Sequence, residues 1–137
     1  MNKAGVLLDT GPLVALLNAK DSHHEQAKKL FSECAPPFRT CEAVIAEACF
    51  LARKMHAAGP AEVLALGRNG VYEISISLPD QWTFIESLLK KYRDRPISLA
   101  DACLIRCAEL YEDSRILTFD SDFRIYKWKR NSRFECL

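Results

Sequence analysis

The sequence predicts an α/β fold in which a mainly parallel central sheet is covered on both faces by helices. Three observations carry this. Short apolar runs such as Gly5-Val-Leu-Leu8 and Arg115-Ile-Leu-Thr-Phe119 have the length and composition of strands buried on both faces. Between such runs lie stretches whose apolar residues recur at helical spacing. Strands alternating with helices require crossover connections, and crossovers make neighbouring strands parallel.

The elements follow in order. Gly5–Leu8 is the first strand, and it meets Asp9-Thr-Gly-Pro12, a strand-to-helix turn in which Pro12 suits a first helical position. Ser22-His-His-Glu25 has capping-box spacing and precedes a helical face of Ala27, Leu30, Phe31 and Cys34, which Pro36-Pro37 stops. Phe38-Arg-Thr40 is a short strand. A helix from about Cys41 to His56 is apolar at Val44, Ile45, Ala48, Leu51, Ala52 and Met55 and carries Glu47. Pro60 opens another helix that ends at Gly70, and Val71-Tyr-Glu-Ile-Ser-Ile76 alternates like a strand. Beyond Pro79, Trp82, Ile85, Leu88, Leu89 and Tyr92 form an amphipathic stripe that stops before Pro96. Ser98 caps a helix through Cys103, Cys107 and Leu110. Arg115–Phe119 is a late strand followed by Asp120-Ser-Asp122, and Arg133-Phe-Glu-Cys136 is a final edge strand.

Composition bounds the class. A chain of 137 residues, 49% of them hydrophobic, is the size of one domain able to bury a core, so residues 1–137 are expected to form a single domain. With 5 Gly and 6 Pro it is neither low-complexity nor fibrous. No apolar run approaches the ~20 residues needed to cross a bilayer, and the first residues lack a signal peptide's hydrophobic region. The expected location is the cytoplasm. The six cysteines contain no Cys-x-x-Cys pair, and only Cys103 and Cys107 share a helical face, so they read as small buried hydrophobes rather than a disulfide framework or zinc site.

A net charge of +1 argues against coating nucleic acid by bulk electrostatics. From Asp120 onward, however, five basic residues (Arg124, Lys127, Lys129, Arg130, Arg133) face three acids. This end is either a solvated face or a phosphate-contacting strip that includes Tyr126 and Trp128.

Four acids concentrate the chemistry. Asp9 follows the first strand and Asp120 the late one, so both belong at the carboxyl edge of one sheet, where ligands bind in such folds. Each can equally be a helix or turn cap. Asp101 stands at the capping-box position after Ser98. Glu47, among Val44, Ile45, Ala48, Phe50 and Leu51, is expected to be buried; it pairs either with Arg53 or Lys54 or with a cation shared among the acids. Clustered carboxylates repel unless a cation binds or some are protonated, and an all-oxygen cluster suits Mg²⁺ or Mn²⁺.

The segments Leu7-Leu-Asp9-Thr-Gly-Pro-Leu-Val-Ala15, Glu42-Ala-Val-Ile-Ala-Glu47, Leu99-Ala-Asp101-Ala and Leu117-Thr-Phe-Asp-Ser-Asp-Phe123 resemble the four acidic motifs of PIN domains, and the match spans nearly the whole chain. The chain is similar to the small single-domain members, many of them VapC-like ribonuclease toxins of toxin–antitoxin pairs. The resemblance implies a three-layer α/β/α sandwich with Mg²⁺ or Mn²⁺ held by Asp9, Glu47, Asp101 and Asp120, and with Thr10 and Thr118 supporting the site. The fourth motif departs from the family in its spacing, which leaves Asp120 or Asp122 as the last acid; Asp120 is nearer the strand end.

Such a site suits phosphodiester hydrolysis, in which a metal lowers the pKa of a bound water and stabilises phosphoryl charge. Glu47 or Asp101 would orient that water or take its proton. Single-stranded or looped RNA fits a shallow acidic site flanked by cations and aromatics, with Arg124, Lys127 and Arg130 as the candidate RNA contacts. The expected activity is thus a metal-dependent endoribonuclease with RNA as substrate; an antitoxin protein and a second copy of the chain are the partners to be tested. Two rivals stand beside it: another Mg²⁺-dependent phosphohydrolase, for which Asp120-Ser-Asp122 resembles an aspartyl nucleophile motif, and an interaction domain whose acids are only caps.

Overall fold

The computed structural model describes residues 5–113, 115–129 and 131–137. Five strands, β1 (Leu7–Leu8), β2 (Phe38–Thr40), β3 (Tyr72–Ile74), β4 (Arg115–Leu117) and β7 (Glu135–Cys136), make one sheet in the order β3-β2-β1-β4-β7. Every pair in it is parallel, with Leu7 opposite both Arg39 and Ile116. A two-stranded antiparallel hairpin, β5 (Lys127–Trp128) and β6 (Ser132–Arg133), stands apart from it.

Six helices make the crossovers: α1 (Thr10–Leu17), α2 (His24–Glu33), α3 (Glu42–Met55), α4 (Gly59–Arg68), α5 (Trp82–Lys91) and α6 (Leu99–Tyr111). The chain moves outward from β1 to β2 to β3, then crosses back to β4 on the far side of β1. Because such connections are right-handed, reversing direction puts α1–α4 on one face and α5–α6 on the other. The result is the expected mainly parallel sheet between helical layers. It also creates a switch point between β1 and β4, the place where open α/β sheets bind ligands.

The core explains the sequence pattern. Leu7, Leu8, Ile116 and Leu117 are wholly buried, as strands covered on both faces must be. Val44, Ile45, Ala48 and Ala52 form the buried stripe of α3, while Ala102, Leu104, Ile105 and Ala108 bury most of α6. Cys41, Cys103 and Cys107 are buried within this core as free thiols. A side chain at Gly59 would collide with the carbonyl of Ala52, so only glycine lets α4 start hard against α3.

Several local expectations change. The Ser22 capping box does not form: α2 starts at His24, and the Asp21 carboxylate, a stronger acceptor, takes the His23 N–H at 2.8 Å. Helix α1 begins two residues before Pro12, with Asp9 as its N-cap; a first-turn proline loses no hydrogen bond there. Trp82, read as part of a core stripe, is 60% exposed, because α5 turns only Ile85 and Leu88 fully inward. The expected last strand splits, with Arg133 in the hairpin and Glu135–Cys136 joining the sheet beside β4.

At the opposite edge, buried Asp113 accepts from the Gly5 N–H and from Arg39 Nε, each at 2.8 Å, and the Arg39 guanidinium lies over the Tyr111 ring. This is a structural tie across the amino ends of the strands.

Candidate metal centre at the switch point

The site assembles from the ends of β1, β4 and α6. Leaving β1, the chain is held to β4 by the Asp9 N–H, which donates to the Leu117 carbonyl at 3.0 Å. Extended backbone at Asp9 then starts α1, and the Asp9 side chain caps it: Oδ1 accepts from the Thr10 N–H at 2.8 Å. Oδ2 accepts from the Thr118 hydroxyl at 2.7 Å. Thr118 in turn accepts the Asp120 N–H at 3.0 Å, so one hydroxyl fixes the two acids that follow the two central strands.

Asp101 arrives on the first turn of α6. Its N–H donates to Ser98 Oγ at 3.0 Å, and its Oδ2 accepts the Ser98 N–H at 3.5 Å, a reciprocal capping box. The same Oδ2 accepts the Tyr126 hydroxyl at 3.1 Å. The expected cap is thus present at Asp101, and the same carboxylate also has a partner outside the cap, in Tyr126.

Glu47 differs from the sequence expectation. It is exposed rather than buried, since α3 turns the Val44, Ile45 and Ala48 face into the core and Glu47 away from it. Its partner is neither Arg53 nor Lys54. The Arg53 guanidinium donates to the Ala57 carbonyl, and Lys54 lies over the Phe50 ring. Instead Thr10 Oγ1 donates to Glu47 Oε2 at 3.0 Å, linking α3 to the turn that carries Asp9.

Electrostatics join three of the acids. Burial pushes the Asp9 carboxyl from 3.8 up to about 6, against the bonds from Thr118 and the Thr10 N–H, and the charges of Asp101 and Asp120 push in the same direction. Asp101 is raised as well, chiefly by burial, with the Tyr126 and Ser98 bonds opposing and the Asp120 charge adding. Asp120 is thus within electrostatic reach of both. Its Oδ1 accepts the Asp122 N–H at 2.9 Å, starting a 3-10 turn over Ser121–Arg124; Asp120 is exposed and Asp122 half-buried.

The donor chemistry fits a hard cation such as Mg²⁺ or Mn²⁺: the groups are all oxygens, and each Asp9 oxygen, accepting one hydrogen bond, keeps further lone-pair capacity. Among the described residues, no three Asp, Glu, His or Cys side chains already close around a single point. Mg²⁺ binding through one or two carboxylates and several waters does not require that they do.

Tyr126, like Glu47, stands elsewhere than the sequence predicts. Expected beside Trp128 in a phosphate-contacting strip, it is fully buried, packed edge-on to Tyr92 and Phe123. The three-residue spacing of Phe123 and Tyr126 was the available signal of an inward turn. Of the basic candidates, exposed Arg124 lines a small cavity with Thr118 and Asp120. Lys127 is half-buried in the hairpin, its N–H donating to the Tyr92 hydroxyl at 3.0 Å. Arg130 lies outside the described residues. No helix among those residues is long and apolar enough to cross a membrane.

Comparison with known proteins agrees with this architecture. No curated protein matches the chain by sequence. Among solved structures, VapC20 of Mycobacterium tuberculosis, described as a sarcin–ricin loop cleaving toxin, superposes with a TM-score of 0.73 at 23% identity, over 86% of this chain and 92% of that one. The sequence pattern of the PIN domain matches residues 6–129, nearly the full length that carries the sheet, the switch point and the acids. This chain belongs to the PIN domain family.

Proposed function

We propose that the protein is a divalent-metal-dependent endoribonuclease, the toxin of a VapC-like toxin–antitoxin pair, with Asp9, Glu47, Asp101 and Asp120 as its acidic site and Thr10 and Thr118 in support. One observation carries this reading: at the switch point, where three separate elements end, the charges of Asp101 and Asp120 raise the proton affinity of Asp9, and the Asp120 charge also raises that of Asp101. A fold accepts such repulsion where a cation relieves it. The fold match to VapC20, described as a sarcin–ricin loop cleaving toxin, is consistent with a looped substrate.

When bound, Mg²⁺ or Mn²⁺ would supply an activated water and stabilise phosphoryl charge. Asp9, fixed through both oxygens, and Asp101, fixed through Oδ2, are the rigid ligands in this scheme, because preorganised groups need no rearrangement as charge develops. Exposed Glu47, held at Oε2 by Thr10, orients the attacking water or takes its proton. Arg124 draws the polyanion toward Asp120. An antitoxin and a second copy of the chain are the proposed protein partners.

The capping role of Asp101 is the observation that favours a non-catalytic interaction domain. Calorimetric titration with Mn²⁺, paired with cleavage of an end-labelled structured RNA, separates the readings. We expect Mn²⁺ binding that Asp101→Asn weakens and cleavage that it abolishes. Absence of Mn²⁺ binding, or undiminished cleavage by the variant, would overturn the proposal.

A further inference from the structure

Beside the acids, a cavity of about 230 Å³ is lined by His23, Gln26, Phe119, Asp120, Ser121 and Arg124. Its aromatic wall is built, not incidental. The His23 and Phe119 rings stack at 4.6 Å between centroids and 27° between planes, joining the turn before α2 to the segment after β4. Phe119 in turn lies beside Gly11 on the first turn of α1, where a methyl group would be in ordinary contact with the ring at 3.5 Å. Asp21 fixes the other half of the stack by accepting the His23 N–H at 2.8 Å. Gln26, Ser121 and the cationic Arg124 also line the cavity.

We infer that this cavity is a nucleobase subsite, which takes one unpaired base of the RNA strand adjoining the phosphate at Asp120, with the base packed against the His23–Phe119 stack. The inference rests on the ribonuclease reading for its ligand class and adds the residues that would grip the base. Each feature matches one part of a nucleotide. Aromatic faces accept any base by stacking. The Gln26 amide and Ser121 hydroxyl offer donors and acceptors to a base edge, and Arg124 offers a partner for the neighbouring phosphate. The volume lies below the roughly 300–1,000 Å³ of sites for drug-sized ligands, so it suits a single flipped-out ring system, not a duplex. Sequence-specific RNA recognition works on such unstacked bases in loops and single strands.

The test is a binding measurement that does not depend on cleavage. Fluorescein-labelled octaribonucleotides of A, C and U, and an abasic ribose-phosphate octamer, are titrated by anisotropy against the full chain carrying Asp101→Asn, which keeps the RNA intact. We expect at least one base-bearing octamer to bind about tenfold more tightly than the abasic one, the order expected for one aromatic stack. Adding Phe119→Leu or, on the exposed side of the stack, His23→Ala should remove that advantage while leaving abasic binding unchanged. Equal affinity for base-bearing and abasic chains, or an advantage that survives both substitutions, would overturn the subsite. If the advantage is present and depends on His23 while the parent protein cuts no RNA, the subsite stands and the nuclease reading falls.

Discussion

The Tyr126 hydroxyl donates to Asp101 Oδ2 at 3.1 Å, joining the segment before the C-terminal hairpin to the first turn of α6. Both residues are buried, Tyr126 completely and Asp101 to 7% exposure. The bond favours the charged carboxylate against the burial that disfavours it, and the Asp101 charge in turn raises the Tyr126 phenol, itself pushed up first by burial. Tyr126 is a positioning residue: it holds one acid of the site from the core side.

Removing that hydroxyl should therefore weaken both structure and site. Tyr126→Phe leaves a buried carboxylate short of one donor, and losses of this kind run at about 1–3 kcal/mol. Chemical denaturation should show that destabilisation. The variant's pH–rate profile should also move its acidic limb upward, because the bond that held Asp101 down is gone; a profile identical to the parent's would exclude the positioning role.

The raised Asp9 carboxyl predicts an unusual pH dependence for the metal-free protein. An acid whose pKa rises from 3.8 to about 6 on folding binds protons more tightly in the native state, so its contribution to stability falls as pH climbs through that window and stays lost above it. The size is on the order of 3 kcal/mol for a rise from 3.8 to about 6. In EDTA, Asp9→Asn should accordingly be more stable than the parent at pH 7, with the difference fading by about pH 4. Urea unfolding at the two pH values measures this. A parent more stable than the variant at pH 7 would contradict it.

Asp101→Asn separates function from stability. Asparagine keeps an oxygen to accept from Ser98 and Tyr126 while removing a charge that repels Asp9 and Asp120. Without metal the variant should be as stable as the parent or more so, since losing a capping charge costs about 1 kcal/mol and relieved repulsion offsets it. Cleavage should be lost. Thermal unfolding beside an RNA cleavage assay checks both halves.

Salt dependence reports which basic residues meet phosphate. Each contact to a single strand contributes roughly −0.7 to the slope of log affinity against log salt. Arg124, in the cavity beside Asp120, should account for one such contact, and Arg124→Ala should flatten the slope by about that amount. Lys127→Ala should flatten it by a similar step if that ammonium reaches the strand. Mn²⁺ affinity should stay unchanged in both. An unaltered slope in the double variant would move the RNA path to another face.

The parallel α/β architecture was legible in the sequence because burial on both faces demands unbroken apolar runs such as Val6–Leu8 and Ile116–Leu117, which only crossovers can connect. Placing Asp9 and Asp120 at one sheet edge followed from the same logic, since each directly trails a strand. What local pattern could not supply was rotation and partnership. Glu47 faces solvent, not the core, because the orientation of α3 is set by packing against α1, α4 and α6. Tyr126 turns inward because Phe123, Tyr92 and Asp101 meet it there, from segments up to 34 residues away. The Thr118 hydroxyl joins two acids only because β1 and β4, 109 residues apart by the register of Leu7 with Ile116 and Leu8 with Leu117, lie side by side. A sequence specifies which faces must be buried; which side chain answers which is decided when distant elements pack, because hydrogen bonds and carboxylate repulsion act over a few ångströms of space and take no account of chain position.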